Sequence, residues 1–180
     1  MEVSESGLEG LRVIDLKVHG DERGFFVERF NKKAFEAKGL SMEFVQDNHS
    51  RSAPGVLRGL HYQVTPAQGK LIGVSRGKIW DVVVDLRKNS TSFGKHFSIE
   101  LSDMNGRLLW IPQGFAHGFC VLGDQSADVI YKVDSYYTPS TEGGVRWSDV
   151  DLAIPWPIVD PIVSARDQAL PLFSQITSPF

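Results

Sequence analysis

The feature that most constrains the fold of this chain is its punctuation. Ten strand-like runs follow one another between residues 11 and 137, with turn sequences between them. The runs are "LRVIDLKV" (11–18), "GFFVERF" (24–30), "MEFVQDNHS" (42–50), "VLRGLHYQV" (56–64), "GKLIGVSRG" (69–77), "KIWDVVVDLR" (78–87), "GKHFSIELS" (94–102), "RLLWIP" (107–112), "HGFCVLG" (117–123) and "ADVIYKVDSYY" (127–137). Most are rich in the β-branched and aromatic residues that suit a pleated, half-buried surface. The separators include "HGDERG", "SAPG", "TPAQG", "DMNG", "PQG" and "GDQS", whose Gly, Pro, Asn and Asp favour tight turns. Short strands with a turn signal about every ten residues predict an all-β sandwich or barrel. "KIWDVVVDLR" alternates only in part, as a strand buried on both faces would.

Helix signals are sparse. Asn31 can cap "KKAFEAKG", with Gly39 ending it, and a last helical turn can start at Ser164 in "SARDQAL". Six of the nine prolines lie beyond residue 138, so that stretch reads as an irregular wrap. With 180 residues and no linker or repeat, the chain is expected to form one domain, with a core over about 40–137 and a wrap over about 138–180. A net charge of −3 argues against general nucleic-acid binding. No apolar run approaches the roughly 18 residues of a membrane span. The acidic start "MEVSESGLEG" does not read as a signal peptide, and the one cysteine, Cys120, cannot form an internal disulfide. The expectation is a cytoplasmic protein.

"VLRGLHYQ" (56–63) places Arg58 and His61 inside an otherwise apolar strand. They are three residues apart, and a regular strand would send them to opposite faces. If both serve one cavity, the strand must break parity between them. Gly59 is the expected place for a bulge or strong twist.

Other polar residues interrupt apolar runs: Gln46, Asn48, Lys70, Asp81, Tyr131 and Lys132. Singly each has an ordinary structural reading. A strand Lys is usually at an edge, a strand Tyr in the core, and Asp167, three residues after Ser164, sits at capping-box spacing. His61 or His117 could be a general base, or a hydrogen-bonded and inert histidine. Together these residues suggest a polar cavity lined by several strands.

"GRLLWIPQGFAHGF" (106–119) resembles the second signature of the cupin jelly-roll barrels, in which the His often ligates a metal. No His-x-His partner occurs, and the five histidines are far apart. The resemblance therefore supports the fold, and no metal site is expected.

The whole set of motifs resembles the dTDP-4-dehydrorhamnose 3,5-epimerase family. The matching stretches, in order, are "GDERGFF", "FVQDNHSRS", "GVLRGLHYQ", "QGKL", "DVVVDLR", "WIPQGFAHGF", "YKVDSYY" and "SARDQALPL". The resemblance implies a cupin-like jelly roll, a homodimer, and no metal or other cofactor. It implies inversion of carbons 3 and 5 of a dTDP-4-keto-6-deoxyhexose, each centre being next to the carbon-4 ketone. By the same resemblance His61 is the base, Asp167 its partner and Tyr131 the acid. Lys70 stabilises the enolate, Asp81 positions His61 or Lys70, and His117 lines the sugar pocket. Arg58 and Arg23 bind pyrophosphate. Gln46 and Asn48 line the nucleotide-sugar site, Glu28 contacts thymine and Tyr136 stacks on it. Arg23 and Glu28 are expected to act in the neighbouring subunit's site.

The chain departs from the pattern at His19, where relatives carry an aromatic residue near the base, at Gln113 for a common Glu, and at Gly73 for a frequent Arg that would leave one phosphate or sugar contact missing. Competing readings are an epimerase of carbon 3 or carbon 5 alone, a non-catalytic sugar-nucleotide-binding cupin, and a metal-dependent cupin oxygenase or isomerase.

Overall fold

The computed structural model describes all 180 residues. Fourteen strands form two large sheets and one isolated hairpin. The first sheet runs in the order β1 (Glu2–Glu5), β2 (Arg12–Asp15), β10 (Arg107–Ile111), β7 (Lys70–Arg76), β12 (Ala127–Val133) and β5 (Gln46–Ser52). The second runs β13 (Glu142–Gly144), β6 (Val56–Gln63), β11 (Phe115–Leu122), β8 (Lys78–Asp85) and β9 (His96–Ser102), with β14 (Ile162–Val163) paired in parallel to β6. The large sheets are otherwise antiparallel, and their inner faces meet in a jelly-roll sandwich.

The alternation of each strand assigns its side chains to a layer. Val13, Ile72, Leu109 and Val129 of the first sheet meet Ile79, Val83, Phe119 and Val121 of the second in the central core. On the far side of the first sheet, Ile14, Leu71 and Leu108 pack with Phe35 of helix α1 (Lys32–Glu36). On the far side of the second, Leu60, Val82, Val84 and Ala116 are covered by Leu152, Ile154, Trp156, Phe173 and Phe180 of the C-terminal wrap. Strand β8 lies between β11 and β9 and is buried on both faces, as its incomplete alternation implies.

Both expected helix starts are present. The Asn31 side chain accepts from the Ala34 N–H at 3.3 Å, and the Ser164 hydroxyl accepts from the Asp167 N–H at the start of α2 (Ala165–Gln168). The sandwich is wider than residues 40–137, because β1 and β2 extend one sheet, and β13 and β14 line β6 of the other. These additions are short, and long-range pairing rather than local pattern defines them. The run 11–18 divides into β2 and β3 (Val18–Asp21), which pairs with β4 (Gly24–Val27) as a hairpin outside both sheets. That hairpin exposes Val18, Phe25 and Phe26.

Candidate active site

Between the sheets the sandwich opens into a cavity of about 540 Å³. One wall comes from β6 and β11 and carries Arg58, His61, His117 and Phe119. The other comes from β7 and β12 and carries Lys70, Ile72 and Tyr131, with Ser50 from β5.

Arg58 and His61 reach the same cavity because β6 is irregular between them. In the pairing with β11, His61 faces His117 and Arg58 faces Phe119, so three steps on β6 match two on its partner. The extra residue is a bulge. Gly59 lies within it at φ 122°, and a Cβ there would come within 2.6 Å of the Gly118 Cα. Only glycine fits both the dihedral and the close approach.

The bulge also exposes the Gly59 N–H, which donates to Asp167 Oδ2 at 3.1 Å. The other Asp167 oxygen lies 2.8 Å from His61 Nε2. Asp167 therefore uses its backbone, not its side chain, in the cap of α2. Burial alone would raise its pKa, but the bonds from His61 and Gly59 outweigh this and hold it below the usual carboxylate value. An ionised Asp167 accepts from His61 Nε2–H, which leaves the lone pair on Nδ1. That is the arrangement of a general base with an orienting carboxylate.

On the facing wall, burial lowers the pKa of the Lys70 ammonium to about 8, opposed by the charges of Asp134 and Glu142. Burial raises that of the Tyr131 phenol. Arg58 donates to the Ser52 hydroxyl at 2.9 Å and to the Arg51 carbonyl at 3.3 Å, which fixes its guanidinium at the cavity edge.

Several expected site residues lie elsewhere. Asp81 is fully buried on β8, on the same face as His117 of the neighbouring β11, and bonds to His117 Nε2 at 2.8 Å. It does not line the cavity and is bonded to neither His61 nor Lys70, which corrects both roles expected of it: β11 lies between its strand and β6, so His117 is the ring within its reach. Tyr136 is 67% exposed outside the wall, while its neighbour Tyr137 lines the cavity. Gln63 selects between them by bonding to the Tyr136 carbonyl and the Thr138 N–H. Gln46 and Asn48 share a strand face with Ser50 but lie beyond the cavity, bonded to each other at 2.8 Å, and Gln46 also accepts from the Tyr137 N–H.

Arg23 and Glu28 are exposed and away from this cavity. Arg23 binds Asp21 within the hairpin. His19 belongs to the same hairpin, so it does not stand beside His61 of its own chain. Gly73 points to the outer face of its sheet, where a Cβ would meet Leu108 and the Arg29 guanidinium. A longer side chain there would not reach the cavity, so Gly73 removes no contact from it. Gln113 donates to Asp134, which in turn accepts from the Gly69 N–H beside Lys70.

Sequence reasoning missed a cluster at the cavity edge. Glu142 accepts from the Tyr137 hydroxyl and from Arg166 Nη2, each at 2.6 Å. The adjacency of Arg166 to Asp167 was the available signal. Glu142 had none, because β13 exists only through its pairing with β6. No group of three or more His, Cys, Asp or Glu is placed to hold a metal ion.

Comparison with known proteins places this geometry in context. Residues 5–175 match the family profile of dTDP-4-dehydrorhamnose 3,5-epimerase. The enzyme of that description from Shigella flexneri is 52% identical over 169 residues, covering 93% of each chain. The crystal structure of dTDP-6-deoxy-D-glucose-3,5-epimerase from Legionella pneumophila, in complex with dTDP-4-keto-L-rhamnose, superposes with a TM-score of 0.93 at 45% identity, covering 98% of this chain and 94% of that one. A 3′-monoepimerase from Streptomyces bikiniensis, in complex with dTDP-quinovose, gives 0.87 at 33% identity, covering 93% and 86%.

Proposed function

The chain belongs to the dTDP-4-dehydrorhamnose 3,5-epimerase family, and from that premise we propose how its two cavity walls carry out the reaction. The activity is inversion of carbons 3 and 5 of dTDP-4-dehydro-6-deoxy-D-glucose to give dTDP-4-dehydro-L-rhamnose. The carbon-4 ketone acidifies both neighbouring C–H bonds. Inversion needs a base on one face of the sugar and an acid on the other.

The observation that carries the reading is the division of groups between the sheets. His61, backed by Asp167, stands on the β6 wall, and Tyr131 stands on the β12 wall. His61 Nδ1 removes the proton and the Tyr131 hydroxyl returns one from the opposite side. The Lys70 ammonium stabilises the enolate oxygen between them, by the logic of a preorganised oxyanion site. Arg58 holds the pyrophosphate, for which a guanidinium offers paired donors. His117 contacts the sugar. Gln46 and Asn48 extend the site toward the nucleotide, and Tyr137 rather than Tyr136 is the aromatic placed to meet its base.

Arg23 and Glu28 act in the site of a second copy, making the working unit a homodimer. What supports this is their distance from their own cavity and the exposed Phe25 and Phe26 beside them. The cytoplasm is the proposed compartment. No helix is long and apolar enough to cross a membrane. The lone Cys120 is buried, which pushes its thiol up to about 11.

The Streptomyces bikiniensis relative keeps inversion at a single carbon in view as a second reading. Proton NMR of the reaction in D₂O separates the two. The expected result is deuterium at both carbon 3 and carbon 5 with an L-configured product. Exchange at one carbon alone overturns the 3,5 assignment.

A further inference from the structure

The cavity holds two imidazole–carboxylate pairs. His61 and His117 are directly opposed residues of β6 and β11. Such residues share a face, with Cβ atoms about 5 Å apart. Each ring is tied through Nε2 to a carboxylate at 2.8 Å, His61 to Asp167 of α2 and His117 to Asp81 of β8. In each ring the hydrogen bond is made at Nε2, which leaves Nδ1 for the cavity that both residues line. The second pair therefore repeats the geometry of the first, turned toward the same substrate.

Asp81 is the costly member. It sits in "IWDVVV", fully buried on β8 between β11 and β9, and its Oδ1 has no hydrogen-bond partner. A carboxylate left half-satisfied in a core destabilises the fold relative to an apolar residue of similar size. Burial raises its pKa, and only the bond and charge of His117 oppose this. Packing does not account for such a residue.

The reaction supplies a need that fits it, on the reading that both carbons are inverted. One inversion moves a proton from carbon to His61 and another from Tyr131 to the opposite face of the same carbon. It leaves an imidazolium on one wall and a phenolate on the other. A second inversion by the same groups must start from a neutral imidazole and a phenol. Between the two, the β6 wall has to lose one proton and the β12 wall to regain one while the singly inverted sugar stays bound.

We propose that the His117–Asp81 pair carries this proton and so resets the site between the two inversions. His117 Nδ1 accepts the proton from His61 Nδ1 through one water that exchanges with solvent, so in D₂O both carbons still take up deuterium. Asp81 holds the resulting imidazolium in place, and the proton passes on to the Tyr131 phenolate. His61, His117 and Tyr131 end as they began, with no net gain or loss of protons.

The test is the D₂O experiment with Asp81→Asn, which keeps the side-chain volume and removes the charge. His117→Gln serves as a second variant should the first not fold, and retained dTDP binding reports an intact cavity. The expected result is selective. Inversion of the second carbon falls at least tenfold more than that of the first, and singly inverted sugar accumulates. A merely structural role would slow both carbons together. Equal slowing at both carbons, or no change at either, overturns the carrier. Exchange at one carbon alone in the unaltered protein overturns the double-inversion reading along with it.

Discussion

On the proposed mechanism, burial of a single ammonium, that of Lys70, sets the upper pH limit of the reaction. Desolvation disfavours the charged form of Lys70, so its proton leaves at about pH 8 instead of its ordinary value near 10.5. Below that pH the charged group can stabilise an enolate, and above it the neutral amine cannot. Tyr131 moves the other way, since burial raises its pKa, and the acid stays protonated over the same range. Turnover should fall about tenfold per pH unit above about pH 8, and Lys70→Gln should remove that limb along with most of the activity. A kcat profile flat to pH 9.5 contradicts the role. Singly these residues read as ordinary structural ones, and only as a set on apolar strands did they suggest a shared cavity. Partners were less legible. Asp81 and His117 are far apart in sequence, and only the pairing of β8 with β11 brings them to 2.8 Å.

Strand parity is the decisive property at the level of the element. The three-residue spacing of Arg58 and His61 required an irregularity, and Gly59 was the residue able to host it. The bulge does more than that spacing implied. It frees a backbone N–H that, together with His61, grips both oxygens of Asp167 from α2. Gly59→Ala would force a Cβ to 2.6 Å from the Gly118 Cα and 2.9 Å from the His117 carbonyl, at a φ that L residues rarely adopt. The expected loss of stability is on the order of 3 kcal/mol, with base and phosphate ligand pulled out of alignment. Thermal unfolding and turnover both report it, and a variant of wild-type stability and rate contradicts this account. The same parity explains one of the misplacements. Gly73 follows Ile72, which lines the cavity, so any side chain at 73 turns outward. Tyr136 and Tyr137 lie past the end of β12, where parity no longer applies, and the Gln63 bonds to the Tyr136 carbonyl and the Thr138 N–H hold the segment with Tyr137 at the cavity.

The whole molecule leaves one element without a packing partner. The β3–β4 hairpin stands off both sheets, with Phe25 67% and Phe26 68% exposed beside Arg23 and Glu28. Two adjacent exposed phenylalanines on an isolated two-stranded ribbon are unfavourable in water, and covering them with a second copy relieves the cost. Phe25→Ser/Phe26→Ser should therefore yield a monomer by light scattering, with kcat/KM lowered at least a hundredfold as each cavity loses its partner's Arg23 and Glu28. A fully active monomer refutes the exchange of residues between subunits. The assembly and the double inversion are separable in this way, since the D₂O experiment reads the chemistry and the hairpin variant reads the architecture.

By itself the sequence determined the all-β class, most strand positions, both helix caps and several of the polar residues that line the cavity. Each of these is a local property, set by side-chain alternation, turn residues and capping geometry within a few positions. Tertiary structure alone decided the strands β13 and β14, the Glu142–Arg166–Tyr137 cluster, the pairing of Asp81 with His117, and the burial that lowers the Lys70 pKa. These depend on which strands become neighbours and how far water is excluded between them. A β-sandwich brings distant segments together, and that proximity is written in no single stretch of the chain.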